Sequence, residues 1–350
     1  LADKPDKAGQ LAEVFNYHAG GLGDWWRQKR LGQHEDRRAE IIARVKAMEG
    51  GSALLQAAEE AGVSIHVVPK ENVGAEGVLD RDSKGNPVVG VANTGNPVGM
   101  AVTLWHELRH VLQNIDMPDL GVPYGRARDA GANHTFALML EADAFTAEAV
   151  MAFQEKKKGN PEYYNHILKA SGVGPYTSRR RFLLENPPES FRDEQQFARA
   201  LFTEMMVEGL TAYSAKFFLS HGRVFNNSED TAAFRDKIKD TPDIYAVTPT
   251  RMSQMYGQGF LPSTSMRALL TGFAEALPLQ EQAALNLIEK TAANAASLTQ
   301  QEFRRAREEV LQRVQDIYYT DPEDRPYETN EVTAAKTRLR KAARAEPNGP

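Results

Sequence analysis

The segment Trp105-His106-Glu107-Leu108-Arg109-His110-Val111-Leu112-Gln113 organises the reading of this chain. Apolar Val98, Val102, Trp105, Leu108, Leu112 and Ile115 recur around it at helical spacing. Asn96-Pro97 supplies a helix start, a capping residue followed by proline at the first helical position, and Pro118 supplies the stop. On such a helix residues i and i+4 share a face, so His106 and His110 can direct two imidazoles at one ion. Glu107 lies on the flank of that pair, where it can take a proton from metal-bound water. Zinc suits these donors, since neutral imidazole and carboxylate both bind it and since it lowers the pKa of bound water toward ~7.

Upstream, the segments 36–48 and 52–61 read as short amphipathic helices, divided by Gly50-Gly51 and ended by Gly62. Val63 to Val68 is β-branched and stops at Pro69, so it reads as a strand. Gly77-Val78-Leu79 is a weaker strand candidate, and Asp82 to Gly85 is turn chemistry. Pro87 to Ala92 is the returning strand. Lying just before the histidine helix, it is expected to be an edge that pairs with an extended substrate, with Gly90 allowing close approach of another backbone. His66, alternating within a strand, reads as structural.

Downstream, Asp119 to Asn133 is Gly-rich and reads as a surface loop, followed by an apolar helix from about His134 to Gln154. Glu141-Ala142-Asp143 stands in the middle of that helix, among Phe136, Leu138, Leu140, Phe145 and Val150. Carboxylates in such surroundings are costly unless paired or bound to a metal. A catalytic zinc needs a third protein ligand, and three carboxylates compete for that place. Asp116 follows His110 at a compact spacing, but Gln113 favours a continuing helix, on which Asp116 is ~15 Å along the axis from His106. Glu141 has no such obstacle and is favoured; Asp143 is its nearer rival, as an alternative ligand or as a group that orients a ligand histidine.

The pair His106-Glu-x-x-His110 with a helical Glu-Ala-Asp about thirty residues on resembles the zincin metallopeptidases, in particular the gluzincin branch. More narrowly, Trp105 to Gln113 with Glu141 to Phe145 looks like an uncharacterised bacterial family of proposed metallopeptidases. The resemblance covers roughly residues 60 to 155. It implies one zinc per chain held by His106, His110 and Glu141, with Glu107 as general base and a peptide or protein as substrate. Gluzincins place Asp or Asn four residues after the ligand glutamate, whereas this chain has Phe145 there. Hydrolysis of a non-protein amide and an inactive zincin scaffold that only binds a partner are the alternative readings. His134, Tyr124, Tyr213 and His221 are candidate oxyanion stabilisers.

The expected fold is α+β and mostly helical: a zincin-like core with a small sheet and an HExxH helix, plus additional helices. The expected organisation is an N-terminal helical segment (1–50), the metallopeptidase core (51–160), a helical region (161–320) and a charged, flexible tail (321–350). Within the helical region, 197–219, 228–239, 263–276, 279–295 and 300–319 are the helix candidates, and Glu204 with Glu208 reads as a solvated acidic pair. The chain's 350 residues are 41% hydrophobic and 25% charged, within the range of folded proteins, with formal charge −5. That charge argues against a nucleic-acid partner, despite the basic run Lys336 to Arg344. The absence of cysteine excludes disulfides, thiolate metal sites and thiol nucleophiles. No stretch approaches the ~20 apolar residues of a membrane span. Leu1 to Lys7 lacks the apolar core of a signal peptide, so the expected compartment stays open between cytoplasm and export with a signal removed.

Overall fold

The computed structural model describes residues 35–70, 76–81, 86–116, 130–169, 175–209, 300–319 and 330–344, with a few positions between 283 and 299. The described chain is mostly helical with one small three-stranded sheet, an α+β architecture. Its elements in order are α1 (Glu35–Ala47), α2 (Gly51–Glu60), β1 (Ser64–Pro69), β2 (Gly77–Arg81), β3 (Pro87–Asn93), α3 (Pro97–Asp116) and α4 (Ala130–Lys157). There follow α5 (Glu162–Lys169), α6 (Pro175–Glu185), α7 (Glu194–Glu204), α8 (Gln300–Tyr319) and α9 (Asn330–Arg344). The expected helices at 228–239 and 263–276 lie outside the described residues, as does the N-terminal segment up to residue 34, and only scattered positions of 279–295 are described.

Two compact units divide the chain: residues 1–119 with 144–170, and residues 120–143 with 171–350. In the first, α3 is the central helix. It packs against α1, α2 and α5 and lies on β2 and β3. Leu104 and Leu108 of α3 are fully buried, and Val89 and Val91 of β3 are sealed from solvent. Asn96 and Pro97 do start the helix, and it continues unbroken through Gln113 to Asp116, as the helix-forming glutamine requires.

Strand order is β1-β3-β2, with β1 parallel and β2 antiparallel to β3. This corrects the expectation that Pro87–Ala92 is an edge: β3 is the middle strand, with Ser64 opposite Val88 on one side and Gly77 opposite Val91 on the other. The physical reason is visible in its residues. Pro87 to Ala92 is an uninterrupted apolar run, buried at every position, and a strand covered on both faces lacks polar alternation. Among the described strands β1 and β2 are the two edges. Ala92 N–H donates to Glu76 O at 2.8 Å, which fixes the ladder's phase. Given that register, the N–H and C=O groups of Gly77, Leu79 and Arg81 point away from β3.

The α1–α2 corner is anchored to two other helices. Trp105 Nε1–H of α3 donates to Glu49 O at 3.2 Å, and Glu49 N–H donates to Glu155 Oε1 of α4 at 3.0 Å. Glu155 is buried and also accepts from Lys158 Nζ and Asn160 Nδ2. Gly50 has φ 71°, and Gly51 starts α2 so close to α1 that a Cβ there would stand 1.7 Å from Val45 O.

In the second unit, α7 packs against α6 and α9. Asp193 caps α7, its carboxylate accepting Gln196 N–H at 2.7 Å, and the helix passes into a π turn at Met205–Gly209. Phe191 is bracketed by the rings of Phe182 and Phe197. Residues 330–344, read above as part of a flexible tail, form a helix whose Val332, Ala335 and Leu339 are buried. Its Arg340 donates to both carboxylate oxygens of Glu204, at 2.9 and 3.3 Å, so Glu204 serves a partly buried ion pair rather than a solvated face. α8 begins with a reciprocal cap, Thr299 N–H donating to Glu302 Oε2 and Glu302 N–H to Thr299 Oγ1.

Candidate metal centre

His106 and His110 sit one turn apart on α3, and their Nε2 atoms face each other at 3.2 Å. The opposite nitrogens each have an oxygen partner. His106 Nδ1 lies 3.2 Å from Glu148 Oε2, and His110 Nδ1 lies 2.8 Å from Gln113 Oε1. An Nδ1–H donating to each of these oxygens leaves the two Nε2 atoms facing each other, with a place between them for a metal cation or one shared proton. Two lone pairs at that distance repel unless a cation lies between them. Imidazole nitrogens bound to one tetrahedral zinc at ~2.0–2.1 Å are about 3.3 Å apart, so the spacing fits the ion.

The helix α4 supplies the third donor. Phe145 meets the His106 ring edge-on, with centroids 4.7 Å apart, and Glu148 holds its Nδ1. Residues i, i+4 and i+7 of a helix share a face, so Glu141 projects on the same side as Phe145 and Glu148. His106, His110 and Glu141 each offer one ligand atom, and these atoms all lie within 4.8 Å of one another. His106 is buried, while His110 and Glu141 are half-buried. The donor set of two neutral imidazoles and one carboxylate is the chemistry of a catalytic rather than a structural zinc.

Glu107 is buried on the flank of the pair that faces the sheet. Its carboxylate rests against Gly77 at the start of β2, beside Thr103 one turn earlier on α3. It therefore stands next to the two histidines without taking either Nε2 position.

Asp143 is buried on α4 and is not a member of the three-residue group. The carboxylate against the His106 ring is Glu148, which the gluzincin offset of four does not point to. Its signal was the heptad spacing from Glu141 on an apolar helix. Gln113 was weighed only as a helix former, and its bond to His110 was not foreseen. Asp116 ends α3, and His134 lies in α4, whose first residue is Ala130 rather than the expected start near 134; neither side chain is among those described. Tyr124, Tyr213 and His221 fall outside the described residues.

No helix among the described residues is long and apolar enough to cross a membrane. Neither a curated protein nor a solved structure matches the chain. Residues 24–172, the span that carries every residue of this centre, match the family described as "Putative metallopeptidase family (DUF6782)".

Proposed function

We propose that this chain is a zinc-dependent metallopeptidase of the gluzincin type, hydrolysing a peptide bond in a peptide or protein substrate. The observation that carries the reading is the pair of Nε2 atoms facing each other at 3.2 Å while both Nδ1 atoms lie beside side-chain oxygens. A shared proton would satisfy that pair, but a proton needs no third donor, and Glu141 brings one within ligand range. The match of residues 24–172 to a metallopeptidase family supports the same chemistry.

In this reading His106, His110 and Glu141 hold one zinc. The ion, when bound, polarises the scissile carbonyl and makes a bound water acidic near neutral pH. Glu107 then accepts the proton of the attacking water and passes it to the leaving amine. Glu148 and Gln113 hold the two imidazoles in the tautomer that offers Nε2. The outward N–H and C=O groups of Gly77 and Leu79 give an extended substrate an edge to pair with, the role that the sequence suggests for Pro87 to Ala92.

The test has two parts. Elemental analysis of the protein as purified is expected to give one zinc per chain. Glu107→Gln is expected to keep that zinc and lose turnover by about 10²–10⁴-fold. A protein with no divalent metal, or a Glu107→Gln variant that cleaves at the wild-type rate, removes the reading. Stoichiometric zinc with no cleavage by the wild type leaves a binding scaffold instead.

A further inference from the structure

We propose that Gly77 is the positioning residue of Glu107: the missing side chain at the start of β2 is the seat in which the carboxylate rests. The inference deepens the peptidase reading and rests on Glu107 as its general base. A Cβ built on Gly77 would stand 2.6 Å from Glu107 Oε1 and 2.8 Å from Glu107 Cγ. It would also stand 2.6 Å from Thr103 Cγ2. The ordinary separation of such atoms is ~3.5 Å or more, so the space that a side chain would fill already holds the carboxylate.

Backbone shape does not account for this glycine. Gly77 is an extended strand residue, and among the described residues the glycines with positive φ are Gly50, Gly62, Gly95 and Gly159. Glycine within a strand weakens it, and close approach of another group is the usual compensation. Here the approaching group is Glu107, with Thr103 as the side wall of the same seat. The two walls come from α3 and β2, so the carboxylate's position relative to His106 and His110 is set by the strand as well as by its own helix. Gly77 also turns its N–H and C=O away from β3, toward the outer side of the edge strand β2. One residue thus stands between the base on one side and the backbone groups available to a substrate on the other.

The experiment compares zinc-loaded wild type, Gly77→Ala, Glu107→Gln, and the two substitutions combined. Its readouts are crystal structures, zinc affinity by chelator competition, and turnover of fluorescein-labelled casein. Gly77→Ala is expected to leave zinc affinity unchanged, because no ligand is touched. The Glu107 carboxylate is expected to move by about 1 Å, the distance that relieves the contact. Turnover is expected to fall about 10²-fold, in kcat rather than KM. Added to Glu107→Gln, the same substitution is expected to have no further effect, since both act through one carboxylate. Thr103→Ser with Gly77→Ala guards against a folding defect. It removes the Thr103 methyl while keeping the carboxylate clash, so a folded protein with low turnover is expected. A carboxylate that stays in place in the Gly77→Ala crystal structure overturns the inference, and so do losses that multiply in the combined variant. Wild-type turnover by Glu107→Gln removes the peptidase reading itself. An inactive Glu107→Gln beside a fully active Gly77→Ala removes only this inference. If casein is not cleaved, the crystallographic displacement decides.

Discussion

His106 Nδ1 stands 3.2 Å from Glu148 Oε2, a carboxylate seven residues after Glu141 on the same helix. Two helical turns therefore carry one donor for the proposed ion and one partner for a histidine that would bind it. Phe145, between them, covers the His106 ring. In the proposed centre the offset of seven would take the place of the gluzincin offset of four, because both spacings return to one face of a helix.

Removing that partner is expected to weaken metal binding without abolishing it. Glu148→Ala should lower zinc affinity about 10–100-fold, and Gln113→Ala should act in the same direction at His110. Chelator competition measures both. Unchanged affinity in the two variants would mean that neither group orients its ring.

The third ligand is tested by three parallel substitutions. Glu141→Ala is expected to lose most zinc affinity, whereas Asp143→Ala and Asp116→Ala are expected to retain it. If Asp116→Ala alone released the metal, the gluzincin assignment would be wrong, since Asp116 ends α3 beyond the histidine pair.

Stability should fall in acid through Glu155. Burial pushes its carboxyl up, but the bonds from Asn160, Lys158 and the Glu49 N–H outweigh that and hold it below its ordinary value. A depressed carboxyl contributes stability above its unfolded pKa and loses it as pH falls through the folded one. Glu155→Gln is expected to cost about 1–3 kcal/mol at neutral pH. Urea unfolding of both proteins should show that gap shrinking as pH falls below the ordinary carboxylate range. A gap that is constant with pH would contradict the ionised role.

The α1–α2 corner gives a contrast between neighbouring glycines. Gly51→Ala drives a Cβ into Val45 O, a backbone atom that cannot swing aside, and should cost about 2–3 kcal/mol or more. Gly50→Ala meets nothing within 4 Å but must adopt φ 71°, so about 1–2 kcal/mol is expected. Thermal melts rank the two; the reverse order would contradict the packing described.

Local rules in the sequence determined the helix that carries the centre. Asn96-Pro97 starts it, its apolar spacing sustains it, Gln113 continues it, and the i, i+4 relation alone puts His106 and His110 on one face. The span of α8 from 300 to 319 was equally legible in the sequence. Each of these depends on residues within a few turns of one another. Strand order, the partner of His106 and the seat of Glu107 were decided only by tertiary structure. Whether β2 or β3 takes the middle of the sheet depends on where β1 docks, more than twenty positions away from Val88 in the chain. Glu148 meets His106 across 42 positions, and Gly77 meets Glu107 from a strand that precedes the helix. Nothing in a local propensity selects such partners. They are chosen when two elements bury their apolar faces against each other, and the polar groups brought along must then satisfy one another.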